Sequence, residues 1–570
     1  MNTEILNKAK EWTTDAYDDK TRKLVSDLIE NDHEELYESF YQDLEFGTGG
    51  LRGVMGVGTN RINEYTISMA SQGLVNYIKE YIEESRWKIA IAHDSRNNSR
   101  LYAEVTARVF QENDFQVYLF EDLRPTPQLS FAVRYHGCIA GVVVTASHNP
   151  PEYNGYKVYW EDGAQVVSPQ DQGIINEVRK VISPSAVQIA SNLVGIHLMG
   201  KEMDDAFLEA AKSTLIRKSL DFSPLKMVFT SLHGTGGQLI PDALRSMGVN
   251  QLIEVQEQAM PNGDFPTVAS PNPEEESAMK MALELAEKEG YEMVLGTDPD
   301  ADRIGIGVRN TEGDLVLLNG NETGALLVHY CLSALESEGS MPKNPYVAKT
   351  IVTTDLIANI AKTHNIPCYQ TLTGFKYIAA VIREQEGCGH FIVGGEESYG
   401  YMRSEFVRDK DAVTASLMIA EMATWARQEH GSVYAYLQWI HERYGHFKEH
   451  LVSVKKEGSK GKAAIQAMMQ TYRNTPPNSL GGINVAYMDD YYTSIRRFRD
   501  GTNEEIKFEK SNVIQFRLED GSLVTARPSG TEPKIKFYFS VQVEGEGDYD
   551  LQKAAAKLKI GDLKKDLVNG

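Results

Sequence analysis

The feature that most constrains this chain is a repeated transition from a short, β-branched, apolar run to a polar, often glycine-rich loop. It occurs at Lys88–Ala92 before HDSR, at Ile139–Val144 before TASHNP and at Met227–Thr230 before SLHGTGG. Met293–Leu295 before GTDPDADR and Phe391–Val393 before GGEESYG repeat it. Helical patterns lie between these runs. In Pro273–Glu289, acidic residues sit near the start, Ala278, Ala282, Leu285 and Ala286 share a face, and Gly290 follows the end. Strands alternating with helices of this length predict parallel α/β sheets. Ligands of such sheets bind beyond the carboxyl ends of the strands, which is where the polar loops fall.

A chain of 570 residues is too long for one core, and about three or four domains are expected. Residues 1–202, 203–313 and 314–445 read as three α/β domains, with Ser183–Gly200 and Asn310–Asp314 as candidate linkers. After Tyr444 the text alternates and is rich in hairpin signals, as in SNVIQFRLEDGSLVTARP with its Asp520–Gly521 turn. Residues 446–570 are therefore expected to form a separate, smaller α+β domain.

Charge narrows the partners. Lys and Arg total 58 against 80 Asp and Glu, a formal −22, and no basic block offers nucleic acid or an anionic membrane a landing site. An anionic ligand must be held by a few gathered basic residues, so those beside motifs carry the information. Cys138, Cys331, Cys368 and Cys388 show no CxxC spacing and read as buried small hydrophobes in a reducing compartment. No apolar leader or run of membrane-spanning length is visible. A soluble cytoplasmic protein is expected.

Three loops carry chemistry. In VVVTASHNPPEYNGYK, a buried strand delivers Ser147 into a turn stiffened by Pro150 and Pro151, with Lys157 ten residues on. A serine held so can be a nucleophile or phosphate carrier. A Ser147–His148 dyad is disfavoured because adjacent residues rarely turn their side chains toward each other. In GTDPDADRI, Asp298, Asp300 and Asp302 alternate directly after a strand, so three carboxylates can converge on one hard cation. An EF-hand is excluded, since its sixth and twelfth positions would be Arg303 and Arg309. In ARPSGTEPKIK, Arg527, Ser529, Gly530 and Thr531 supply a guanidinium, two hydroxyls and exposed amides, the parts of a phosphate cradle. Two further loops look like sugar readers. Glu396 and Ser398 stand two apart in GGEESYG, and Thr373 and Gly374 lie in TLTGFKYI.

Taken together and in this order, the five loops resemble the α-D-phosphohexomutase superfamily, most closely its long phosphoglucomutase branch, which also includes phosphopentomutases. The resemblance covers nearly the whole chain. It implies three related mixed α/β domains and a smaller C-terminal domain around a central cleft. It also implies that Ser147 is a phosphoserine, and that one Mg²⁺ sits on Asp298, Asp300, Asp302 and an oxygen of that phosphate. Glu396 and Ser398 would read sugar hydroxyls, and Arg527, Ser529, Gly530 and Thr531 would hold the non-reacting phosphate. Arg52 in FGTGGLRG, Lys157 and Arg303 match basic residues near the transferring phosphoryl group. A short branch of the superfamily has histidines near the sugar loops, where this chain has Phe375 and Tyr399-Gly400-Tyr401. That departure leaves Lys410 in VRDKDA, with His148, as a candidate for proton transfer.

The implied reaction interconverts α-D-glucose 1-phosphate and glucose 6-phosphate through glucose 1,6-bisphosphate, which also serves as activator. Mannose or pentose phosphates are alternative substrates by the same route. A metal-dependent sugar phosphatase shares the serine and aspartates but has no need of the Arg527–Thr531 cradle. A catalytically silent sugar-phosphate sensor would keep the loops without turnover. The expected partners are small sugar phosphates, and the expected state is a monomer or weak dimer.

Overall fold

Ahead of any strand the chain forms three helices, Thr3–Glu11, Asp19–Asn31 and His33–Phe40. Asp18 caps the second by accepting from the amides of Lys20 and Thr21. Ile5, Ala9, Trp12, Val25, Leu36 and Phe40 close a small core among them. The computed structural model describes residues 3–47, 49–456, 458–529, 534–543 and 549–568. They fall into two compact units. The first comprises residues 1–319, 375–391 and 398–425, and the second 320–374, 392–397 and 426–570. The segment 314–445, expected as a third domain, thus contributes to both.

In the first unit, one sheet runs in the order Gly50–Val54, Tyr153–Trp160, Ala140–Val144, Lys88–His93, Gln116–Phe120, His197–Met199. Lys88–His93 is parallel to both of its neighbours, as the sequence predicts. Tyr153–Trp160 instead returns antiparallel to Ala140–Val144, because the segment 145–152 is too short for the crossover a parallel return needs. Ser147 thus sits at a hairpin tip.

A second sheet repeats the device. Met293–Thr297 is parallel to Lys226–Thr230, and Ile304–Arg309 folds back antiparallel to it, with the aspartates at the tip. The sheet continues through Leu315–Leu318, antiparallel to Ile304–Arg309. Asn310–Asp314 is therefore a hairpin turn rather than a linker, closed by the Asn310 amide on the Asp314 carbonyl at 2.9 Å. Ser183–Gly200 likewise contains the edge strand His197–Met199. The expected helix runs from Glu276 to Glu289 and ends on Gly290 at φ 68°, where a left-handed backbone suits glycine.

In the second unit, Pro345–Thr350 pairs in parallel with Cys368–Thr371. The C-terminal sheet is antiparallel, with His446–Lys455, Lys534–Val543, Leu523–Pro528, Ile514–Leu518 and Ile483–Asp490 successive neighbours. Helices Gly458–Asn474 and Tyr549–Val568 cover it, packing Ile465, Met469, Ala556, Ile560 and Leu563 against Phe516, Phe537 and Phe539. The smaller α+β domain is as expected. None of the four cysteines is in a disulfide; Cys138 and Cys331 are buried, but Cys368 is half-buried and Cys388 exposed, since Cys388 falls in the turn after helix Phe375–Glu384. No helix among the described residues is long and apolar enough to cross a membrane.

Candidate active site

The two hairpin tips of the first unit meet. Ser147 is buried, with φ 53°, and its amide donates to Thr145 Oγ1 at 2.8 Å. Its Oγ donates to Asp298 Oδ2 at 2.7 Å and lies 3.2 Å from His148 Nδ1. The sequence argument against a Ser–His contact is corrected here. Neighbouring side chains diverge along a regular strand, but the left-handed turn at Ser147 brings these two together. Desolvation first, then the Arg303 and Arg52 guanidiniums, hold the His148 imidazole well below its ordinary value, so the ring is neutral. Gly155 lets the returning strand pass close beneath: a Cβ there would lie 2.5 Å from the Thr145 carbonyl oxygen.

Asp298, Asp300 and Asp302 are buried, and their oxygens lie within 4.8 Å of one another. Asp298 Oδ1 accepts from the amides of Asp302 and Arg303, both at 3.1 Å. Asp300 Oδ2 accepts from Thr126 Oγ1 at 2.8 Å and from Lys157 Nζ at 2.7 Å. Lys157 also reaches Asp302 Oδ2 at 3.3 Å, as does Lys410. Burial, with Asp300 and Asp302 alongside, pushes the Asp298 carboxyl well above the usual range. Burial pushes Asp302 upward too, but Lys410, Lys157 and Arg303 together outweigh it and hold that carboxyl low. Asp300 Oδ1 and Asp302 Oδ1 are buried without hydrogen-bond partners. Asp302 Oδ1 faces Arg303 Nε at 3.8 Å, an ion pair without a hydrogen bond. Buried anionic oxygens without hydrogen-bond donors are costly, and a hard cation is a ligand that would satisfy them. The three aspartates could hold a metal ion.

The expected cations surround this point. Lys157 lies on the returning strand, where Asp300 and Asp302 outweigh burial and raise its pKa. Lys410 Nζ is 3.1 Å from Asp409 Oδ1, and Asp409 Oδ2 accepts from Tyr159 at 2.6 Å. Its stem crosses Gly400 so closely that a Cβ there would lie 2.0 Å from Lys410 Cδ. Arg303 pairs with Glu274 at 2.7 Å. Arg52 is exposed on strand Gly50–Val54 and reaches Asn149 Oδ1 at 3.3 Å.

The second unit holds other predicted residues. Glu396 Oε1 accepts from the Gly374 amide at 2.9 Å, and Gly374 has φ 120°, a conformation that favours glycine. Thr373 is half-buried beside it. Arg527, half-buried on strand Leu523–Pro528, is opposite Lys536 and reaches Tyr538 Oη at 3.5 Å. The Ser529 amide donates to the Lys534 carbonyl at 2.8 Å. Gly530 and Thr531 lie outside the described residues. Ser398 belongs to the first unit. Both Glu396 and Ser398 follow the strand, which ends at Gly395, and Ser398 lies in a turn.

Residues 43–184, 205–313 and 319–443 match, in order, α/β/α domains I, II and III of phosphoglucomutase/phosphomannomutase. A phosphoglucomutase of Staphylococcus epidermidis is 38% identical over 529 residues, 91% of this chain and 95% of that protein. The chain belongs to the α-D-phosphohexomutase superfamily, in its phosphoglucomutase branch. A Staphylococcus aureus phosphoglucomutase is 36% identical over 512 residues, 89% of this chain and 91% of that protein. Among solved structures, the open form of pp63/parafusin, a phosphoglucomutase from Paramecium, shares the fold with a TM-score of 0.66. The identity there is 17%, over 92% of this chain and 96% of that one.

Within this phosphohexomutase fold, three supporting residues escaped the sequence reading. Thr126 opens helix Thr126–His136 and carries no motif that could have flagged it. Glu274, which pairs with Arg303, reads as an ordinary acidic residue ahead of a helix. Arg96 of HDSR donates to the carbonyls of Ser147, Asn149, Pro150 and Tyr153. Its loop was visible as a strand exit, but its partners were not.

Proposed function

We propose that this chain is a phosphoglucomutase interconverting α-D-glucose 1-phosphate and glucose 6-phosphate, with Ser147 as the phosphoryl carrier. The carrying observation is the 2.7 Å bond from Ser147 Oγ to Asp298, inside a group of three buried carboxylates in which Asp300 Oδ1 and Asp302 Oδ1 accept no hydrogen bond. Asp298, Asp300 and Asp302 would hold one Mg²⁺ together with a phosphate oxygen on Ser147. Bound there, the ion would neutralise charge on the equatorial phosphoryl oxygens.

The chain's own groups do the rest by position and charge. Arg52, Lys157 and Arg303 attract the phosphoryl group. A sugar hydroxyl oxygen forms the new P–O bond as the bond from phosphorus to Ser147 Oγ breaks, giving glucose 1,6-bisphosphate. The hydroxyl proton passes to a nearby base; His148 is a candidate, and Lys410, an ammonium beside Asp302 and Asp409, is one only in its deprotonated form. The other phosphoryl group of the bisphosphate then moves to Ser147 Oγ as its bond to the sugar oxygen breaks, and the base gives its proton back to that oxygen, leaving the isomeric monophosphate. Thr373, Gly374, Glu396 and Ser398 read sugar hydroxyls, while Arg527, Ser529, Gly530 and Thr531 hold the phosphate not being transferred. On this reading residues 1–202, 203–313, 314–445 and 446–570 carry the serine, metal, sugar and phosphate loops respectively. Four cysteines held as thiols suit a cytoplasmic enzyme, acting as a monomer or weak dimer.

The test is a coupled assay of glucose 6-phosphate formation with bisphosphate present, repeated with mannose 1-phosphate and ribose 1-phosphate. Glucose 1-phosphate should lead in kcat/KM by about tenfold or more. Inorganic phosphate released as fast as isomer forms would overturn the mutase reading in favour of a phosphatase.

A further inference from the structure

We propose that Arg96 is a positioning residue that locks the serine loop in the conformation required for phosphoryl exchange, without binding the phosphate itself. The inference rests on the reading of Ser147 as carrier. Arg96 Nη1 donates to the Pro150 carbonyl at 2.8 Å and the Tyr153 carbonyl at 3.0 Å. Nη2 donates to the Ser147 carbonyl at 2.6 Å and to that of Asn149. One planar guanidinium thus gathers four carbonyls from a single turn.

Without that cation the four oxygens would face one another and repel, and the left-handed backbone at Ser147 would be held only by its amide bond to Thr145 and its Oγ bond to Asp298. The fork is itself fixed. The Arg96 side chain is fully buried, and its Nε lies 3.4 Å from Asp94 Oδ2. Asp94 Oδ1 accepts from the Arg96 amide at 3.0 Å and from Ser99 Oγ at 2.7 Å. The Phe265 ring closes over the guanidinium carbon at 5.0 Å. All four Nη hydrogens are committed to carbonyls, so none is left for a phosphate oxygen. Arg52, exposed at the rim, is the contrasting case. A lysine in place of Arg96 offers one nitrogen and cannot span the same four acceptors.

Arg96→Lys keeps the charge opposite Asp94, and steady-state kinetics of the full chain is the test. Loss of the fork should lower kcat about 100-fold, while KM for glucose 1-phosphate stays within about twofold because the phosphate-reading residues are untouched. Added guanidinium should restore part of the turnover of Arg96→Ala, a result that general destabilisation does not produce. If Arg96→Lys does not fold, Asp94→Asn/Arg96→Gln, which leaves no unpaired charge, carries the same expectation. A folded variant with kcat within about threefold of wild type, or with KM rising as much as kcat falls, overturns the proposal. An active Ser147→Ala enzyme sinks the carrier reading and this inference with it. An inactive Ser147→Ala beside an unimpaired Arg96→Lys removes the Arg96 inference alone.

Discussion

The serine and aspartate hairpins of the first unit differ in kind from the Glu396 and Arg527 loops of the second. At the hairpins, buried carboxylates face the buried Lys157 and the half-buried Lys410 ammonium groups at 2.7 to 3.3 Å, and the serine turn is gripped by Arg96. In the second unit, Thr373, Arg527 and Lys536 are half-buried, and two adjacent carboxylates, Glu396 and Glu397, share one region. The difference matches the two tasks proposed for these regions. Breaking and making a P–O bond requires atoms held within fractions of an ångström, whereas reading a sugar phosphate in two orientations requires groups that tolerate both.

The sharpest way to break the comparison is Ser147→Ala. It should lower kcat by about four orders of magnitude or more, because the phosphoryl acceptor is removed, and Thr126, another buried hydroxyl at these carboxylates, is bonded to Asp300 instead of Asp298. Intact-mass analysis of active wild type should find phosphate on the Ser147 peptide. Comparable turnover by the variant would show that the dense hairpins are a structural core and not the transfer site.

Metal comes next. EDTA should stop turnover reversibly, and Asp300→Asn should cost about 100- to 1,000-fold at fixed Mg²⁺, part of it regained as Mg²⁺ rises. Titration of Mg²⁺ against activity distinguishes a lost ligand, which shifts the curve, from a misfolded site, which only lowers its plateau. Full activity in metal-free buffer would leave the aspartates as the partners of Lys157 and Lys410 and nothing more.

Arg527→Ala probes the looser region and should have a smaller effect. Losing one charge-assisted phosphate bond lowers kcat/KM about 10- to 100-fold. Because a retained bisphosphate must turn before its second transfer, the variant should also leak it and depend more on added bisphosphate. Unchanged kinetics and unchanged bisphosphate dependence would remove Arg527 from the mechanism.

The smallest effect concerns Glu397, which accepts from Thr350 and Thr353, each at 3.2 Å. Desolvation first, then the neighbouring Glu396, push its carboxyl up from 4.5 to about 7. An acid raised on folding binds its proton more tightly in the folded state. Its stabilising contribution is therefore whole below pH 4.5 and is lost as pH climbs toward 7. Over that interval the melting temperature of Glu397→Gln should fall less than that of wild type, by about 2–4 °C. Parallel melting curves would show that Glu397 titrates normally and that the second unit is less crowded with charge than its geometry indicates.

Much of this was legible from residues alone. The TASHNP and DPDAD loops could be assigned chemistry because each packs its reactive groups within a few positions of one strand end, and local spacing fixes what such groups can do. The same local logic misplaced Asn310–Asp314, where a polar turn looks identical whether it joins two domains or two strands of one sheet. It also misjudged Ser147 and His148, since alternation holds along a strand and fails at a left-handed turn.

The sequence by itself determined the parallel α/β cores, the placing of Ser147 and of the three aspartates in loops at strand ends, and the hairpin-rich C-terminal region, because these depend on periodicity and on neighbours in the chain. Only the tertiary structure decided that Ser147 Oγ meets Asp298 across 151 positions, that Lys157 neutralises Asp300 across 143, and that Arg96 clamps the serine turn from 51 away. Those contacts depend on two antiparallel returns at the edges of parallel sheets. Long-range pairing of this kind is set by how whole sheets pack and not by any local pattern of residues.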